Sequence, residues 1–72
     1  MKSKVDIIFG ARIAELRKRL NISQEELADR CGFLRTYIGS IERGEKSPTL
    51  NTIEKLAKGL GVELIDLFKH DS

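Results

Sequence analysis

The stretch SQEELADRCGFLRTYIGSIERG, Ser23 to Gly44, constrains the fold of this chain more than any other. Ser23 followed three residues later by Glu26 is a capping box: the Ser23 hydroxyl satisfies an N–H of the first turn, and the Glu26 carboxylate reaches back to the Ser23 N–H. Ile22 before the cap and Leu27 at the fourth helical position add a hydrophobic staple. The pattern predicts a helix from Gln24 to about Cys31, with Leu27, Ala28 and Cys31 facing inward and a left-handed Gly32 ending it. The chain then turns sharply. A second helix runs from Arg35 to about Arg43, with Ile38 and Ile41 on one face, Phe33 stapling onto Ile38 and Gly44 as the stop.

By composition this second helix is a poor one. Thr36, Tyr37, Gly39 and Ser40 rank low in helix propensity, Gly39 alone costs about 1 kcal/mol against Ala, and Leu34 stands where a Ser or Asp cap belongs. Its outer side carries Arg35, Thr36, Ser40 and Arg43, hydrogen-bond donors and small polar groups of the kind that read base edges and phosphates.

The rest of the chain serves to hold that pair. Met1 to Lys4 reads as a short basic arm, frayed at the terminus. Val5, Phe9, Ile13, Leu16 and Leu20 form one apolar stripe of a long amphipathic helix, with Arg12, Glu15, Arg17, Lys18 and Arg19 on its solvated faces and Asn21 as a left-handed cap. Ile7 and Ile8 lie partly off the stripe, as extra core or as the start of a contact surface. After the charged turn EKSP, a further amphipathic helix spans about Leu50 to Leu60, with Leu50, Ile53, Leu56, Ala57 and Leu60 as its apolar positions. Thr49 is its cap, or Ser47 with Pro48 at the first helical position. Gly61 stops it, and Val62 to Phe68 is long enough for a last helix of two turns or fewer, whose core positions are Val62, Leu64 and Leu67. The expectation is an all-α, compact five-helix bundle, one domain over residues 1–72, with no strand.

Composition narrows the function classes. Thirteen basic and eleven acidic side chains leave a formal charge of only +2, although residues 1–36 hold eight basic and five acidic groups while the rest is slightly acidic. One cysteine excludes an internal disulfide; Cys31 reads as a small core residue in a reducing cytoplasm. No apolar run approaches the roughly 18 residues of a membrane span, so a cytoplasmic protein is expected. His70 has no Cys, His or carboxylate at ligand spacing and is a bystander. With no acid–base pair, nucleophile constellation, metal cluster or phosphate-cradling loop, the chain reads as no enzyme, with no cofactor or metal and no evident small-molecule effector.

FGARIAELRKRLNISQEELADRCG followed by RTYIGSIERGEKSPTLNTIEKLAKGLGVELIDLF resembles the lambda-repressor and Cro type of helix-turn-helix, the Xre family, over nearly the whole length. The resemblance implies that the second helix lies across the DNA backbone while the third enters the major groove by its N-terminal end. It implies base contacts from Arg35, Thr36 and Ser40 and phosphate contacts from Gln24, Arg43 and Lys46; the Tyr37 ring is expected at the sugar-phosphate backbone, with packing against the first helix as the alternative. It also implies a structural salt bridge between Arg17 and Glu42. Leu34 and Gly39 depart from the pattern: the first lacks the small polar cap, and the second removes a side chain from the expected groove-facing surface. RTYIGSIERGE is most similar to the controller proteins of restriction-modification systems, with phage repressors and antitoxins close in pattern.

The implied function is sequence-specific binding of double-stranded DNA as a transcriptional regulator. The alternative is a protein-interaction module of the same fold. Ile65 and Phe68, apolar and three apart on a face the core does not need, are the expected centre of a homodimer formed through residues 62–68, joined by Ile7 or Ile8. Such a dimer fits an operator with half-sites about 34 Å apart or a multiple of it.

Overall fold

The computed structural model describes residues 2–69; Met1 and His70 lie outside them. Four α-helices follow one another: α1 (Lys4–Arg19), α2 (Gln24–Cys31), α3 (Arg35–Glu42) and α4 (Leu50–Leu60). The fifth expected helix is a short 3-10 helix, Leu64–Phe68, rather than an α-helix. Five residues cannot repay the nucleation of an α-helix. Instead Glu63 and Asp66 close a capping box, the Asp66 carboxylate accepting the Glu63 N–H at 3.0 Å, and the tighter backbone bond runs from Asp66 N to Glu63 O at 2.9 Å.

Each helix begins where local chemistry directs. The supposed frayed arm is partly structured: Ser3 Oγ accepts the Asp6 N–H at 3.1 Å, so Ser3 caps α1 and Lys4 lies inside it. Ser23 Oγ accepts the Glu26 N–H at 3.0 Å. The other half of that capping box is replaced, because the Glu26 carboxylate pairs with Arg30 one turn later, at 2.8 Å. Thr49, not Ser47, caps α4, and the Ser47 hydroxyl instead donates to the Asp6 carboxylate. Asn21 (φ 58°) and Gly32 (φ 76°) supply the left-handed residues after α1 and α2.

The core is built from Phe9, Ile13, Leu16, Leu27, Ala28, Cys31, Ile38, Ile41, Leu56, Ala57, Leu60 and Leu67. Four expected core positions are exposed instead. Val5 and Leu20, at the two ends of the α1 stripe, are exposed. Sixteen residues make α1 about 24 Å long, twice the length of the eight-residue helices it packs on, so its ends overrun them. Leu50 is 84% exposed at the first position of α4, and Leu64 is half exposed, since only one turn of the 3-10 helix reaches the interior, through Leu67. Arg12, expected on the solvated face of α1, is buried, its Nε donating to the Asp66 carbonyl at 2.9 Å and its Nη1 to Glu15 at 2.8 Å. That clamp fixes the 3-10 helix to α1.

Two glycines let helices touch backbone to backbone or backbone to sulfur. A Cβ on Gly10 would stand 2.1 Å from the Ile41 carbonyl oxygen and 2.9 Å from that of Glu42, so α1 crosses α3 at van der Waals contact with its main chain. A Cβ on Gly59 would stand 2.6 Å from Cys31 Sγ, where α4 meets α2. Burial pushes the Cys31 thiol above its ordinary pKa, and the Sγ lies 3.5 Å from the Lys55 carbonyl. Gly10→Ala is therefore expected to destabilise by at least about 3 kcal/mol despite the better helix propensity of Ala, because carbonyl oxygens cannot move aside as a side-chain tip can. Gly61→Ala, in open space but at φ 69°, should cost only about 1 to 2 kcal/mol. Thermal denaturation of the two variants checks the order.

Candidate nucleic-acid interface

The placement of α3 is decided by a buried ion pair. Arg17, from α1, donates through Nε to Glu42 Oε2 at 2.7 Å and through Nη2 to Glu42 Oε1 at 3.1 Å, and its Nη1 donates to the Ile22 carbonyl at 2.9 Å. Both side chains are about nine-tenths buried, with 12% and 7% of their surface exposed. The Glu42 hydrogen bonds raise the Arg17 pKa against the opposing effect of burial. The pair implied by the family resemblance is thus present and bidentate, the geometry in which Arg and carboxylate interact most strongly.

Gln24 joins it. Its Nε2 donates to Glu42 Oε1 at 3.0 Å, so the amide expected at a phosphate is engaged inside the protein, linking the start of α2 to the end of α3. The whole helix-turn-helix unit is thereby fixed by one carboxylate that serves two donors.

The outer side of α3 divides in two. Arg35 and Thr36 are exposed in the first turn. The expectation that Ser40 also faces base edges is not met: Ser40 is 8% exposed, and its hydroxyl donates to the Tyr37 carbonyl at 2.7 Å. Ser40 lies one turn beyond Thr36 on nearly the same face, but at the end of the eight-residue helix it is covered by the turn that follows, where the Ser40 carbonyl accepts the Glu45 N–H at 2.9 Å. Tyr37 is half-buried, its ring edge-on to Phe33 with centroids 5.2 Å apart, and Lys55 of α4 sits 5.7 Å over the Phe33 ring. The start of α3 is as the sequence predicts: Leu34 caps it from an extended backbone, with no side-chain hydrogen bond.

Gly39 is buried rather than a gap in the open surface. A Cβ there would meet Arg43 Nη1 at 3.1 Å and Gln24 Oε1 at 3.6 Å, so the missing side chain makes room for those two. Arg43 also pairs with Glu45, Nε to Oε2 at 3.0 Å and Nη2 to Oε1 at 3.1 Å, with both side chains exposed. That hydrogen-bonded guanidinium holds the Glu45 carboxyl below the usual carboxylate range, with help from Lys2 and Lys46. Sequence reading missed Lys2 and Glu45 as members of this cluster. The signals were the RGEK run itself and the basic start of the chain, which only folding brings together. Lys46 is exposed beside them.

Among the described residues no group of His, Cys, Asp and Glu is arranged to hold a metal, and no helix is long and apolar enough to cross a membrane.

A two-helix unit with its second helix open on one side and backed by a third element defines a helix-turn-helix protein. Residues 13–67 match the family described as helix-turn-helix. The chain belongs to that family, in its Xre-type branch of DNA-binding transcriptional regulators. The control protein C.BamHI of Bacillus amyloliquefaciens is 43% identical over 68 residues, covering 93% of this chain and 84% of the relative. The phage CTXphi transcriptional repressor RstR of Vibrio cholerae is 38% identical over 60 residues, covering 83% of this chain and 54% of that one. Among solved structures, the restriction-modification controller protein C.AhdI from Aeromonas hydrophila superimposes with a TM-score of 0.90 at 41% identity, over 92% of this chain and all of that one.

Removing one half of the buried pair leaves the other charged and enclosed. Glu42→Ala is expected to cost about 3 kcal/mol or more, whereas Arg17→Met combined with Glu42→Leu should cost clearly less than Glu42→Ala alone. Urea denaturation of the three proteins measures this.

Proposed function

We propose that this chain is a non-catalytic regulator that binds double-stranded DNA sequence-specifically as a homodimer, in the manner of a restriction-modification controller protein. The observation that carries the reading is the exposed first turn of α3, where Arg35 and Thr36 stand on a helix whose opposite face is locked to α1 and α2. In this reading that turn enters the major groove, and Arg35 donates to guanine O6 and N7 with Thr36 beside it. Lys46, Arg43 and Tyr37 contact phosphates, and Gln24, with one amide hydrogen held by Glu42, contributes its other one from the start of α2. Arg43 must exchange Glu45 for the phosphate, which moderates sequence-independent attraction. Affinity then comes mostly from phosphate neutralisation and falls with salt.

The second copy docks through the apolar surface around the 3-10 helix. Leu50, Ile53, Leu64 and Phe68 line one groove, and Ile65 is two-thirds exposed nearby. Phe68 also stacks at 5.7 Å on Phe9 and borders a second groove of about 250 Å³ with Val5 and Ile8. So many large apolar groups around one short element are more than a small monomer ordinarily leaves in water. The dimer centres on Ile65 and Phe68, with Ile8 at its margin, and presents two α3 helices to half-sites about 34 Å apart or a multiple of it.

Binding sequences selected from a random duplex pool should form an inverted repeat. On that site Arg35→Ala should relax preference at one base pair, with a cost of about 1 to 3 kcal/mol, while Lys46→Ala should weaken all duplexes alike and reduce the salt dependence by about one phosphate. Equal loss on selected and random DNA for Arg35→Ala would overturn the base-reading role. In sedimentation, Ile65→Asp should shift the protein to the monomer mass and lower operator affinity with it.

A further inference from the structure

Leu34 is 76% exposed at the cap of α3, immediately before the exposed Arg35 and Thr36. A leucine in that place is unfavourable on two counts. It makes no cap hydrogen bond, where Ser or Asp would stabilise the helix by about 1 kcal/mol. It also holds an aliphatic side chain in water. Five other large exposed apolar residues have neighbours of their own kind: Leu50, Leu64 and Phe68 line one groove, and Val5 and Ile8 line another with Phe68. Leu34 borders neither groove and is followed directly by the exposed Arg35 and Thr36, so the apolar surface proposed for the second copy does not account for it.

The major groove offers an aliphatic side chain one kind of apolar partner, the methyl group at C5 of a pyrimidine. The backbone at Leu34 is extended (φ −78°, ψ 146°), and its carbonyl accepts the Tyr37 and Ile38 N–H groups at 3.0 and 3.3 Å. Its main chain is thus fixed to the same turn that positions Arg35. We propose that Leu34 is a specificity-determining residue that recognises a C5-methyl pyrimidine, thymine in unmodified DNA, at the base step adjoining the one read by Arg35. The proposal rests on the reading that α3 enters the major groove. Apolar contact supplies at this position what a cap hydrogen bond supplies elsewhere, a fixed relation between the first turn and its surroundings, but only when DNA is bound.

The test takes the selected operator and replaces each thymine in turn by uracil, which deletes the methyl group alone, and each cytosine by 5-methylcytosine, which adds it. Binding is measured for the native chain and for Leu34→Ser. One position is expected at which the methyl group strengthens native binding about fourfold, the equivalent of one methyl taken out of water. The gain should vanish in Leu34→Ser. A response to uracil identifies thymine as the partner, and a response confined to 5-methylcytosine identifies the modified base. Because Leu34 is exposed and serine can cap, Leu34→Ser should melt no lower than the native chain, which shows that any loss of discrimination is not unfolding. The proposal is overturned if no position responds to the methyl group, or if Leu34→Ser responds as strongly as the native chain. Failure of the native chain to select any sequence is a different result, and would instead overturn the major-groove reading.

Discussion

The bidentate pair between Arg17 and Glu42 is the interaction on which the geometry of this protein depends. The helix it anchors is short and poor in intrinsic propensity, and its first turn lacks a side-chain cap. Such a segment holds its shape only through its neighbours. Glu42 lies at its last position and ties it to α1 through Arg17 and to α2 through Gln24. Gly10 completes the junction by letting the α1 backbone rest against the carbonyls of Ile41 and Glu42. One charged contact and one missing side chain thus orient the first turn of α3, which is free to carry Arg35 and Thr36 because it does not have to stabilise itself.

Burying a charged pair is an expensive way to join two helices, and a hydrophobic contact of equal volume often does as well. What the pair adds is direction. A guanidinium fork donates to a carboxylate in one plane, whereas apolar side chains tolerate rotation and sliding. A recognition helix displaced by about an ångström would misplace every group it carries. Directionality at the junction and exposure at the first turn are therefore two parts of one arrangement.

Charge is arranged with similar restraint. A protein of net charge +2 has little general attraction for a polyanion. Near the end of α3 the chain even sets Glu45 against Arg43, with Lys2 and Lys46 around them. Strong basic patches bind all DNA; a partly neutralised one leaves more of the discrimination to groups that meet base edges. Several apolar residues outside the core are gathered about the 3-10 helix, whereas Leu34 stands apart from them.

Local signals in the chain determined much of this protein. Capping residues Ser23 and Thr49, the left-handed Asn21 and Gly32, and the helical spacing of Phe9, Ile13, Leu16, Leu27, Ile38, Ile41, Leu56 and Leu60 specify four α-helices and their inward faces, because each is a short-range rule about backbone hydrogen bonds or side-chain period. Motif resemblance added the Arg17–Glu42 pair, which spacing alone does not give. Only the tertiary structure decided the burial of Arg12 and Ser40, the exposure of Val5, Leu20, Leu50 and Leu64, the engagement of Gln24 with Glu42, and the need for Gly10 and Gly59. Those features depend on where one helix ends relative to another and how closely two backbones approach. Periodicity tells which face of a helix turns inward, but not how far along its length the neighbour extends.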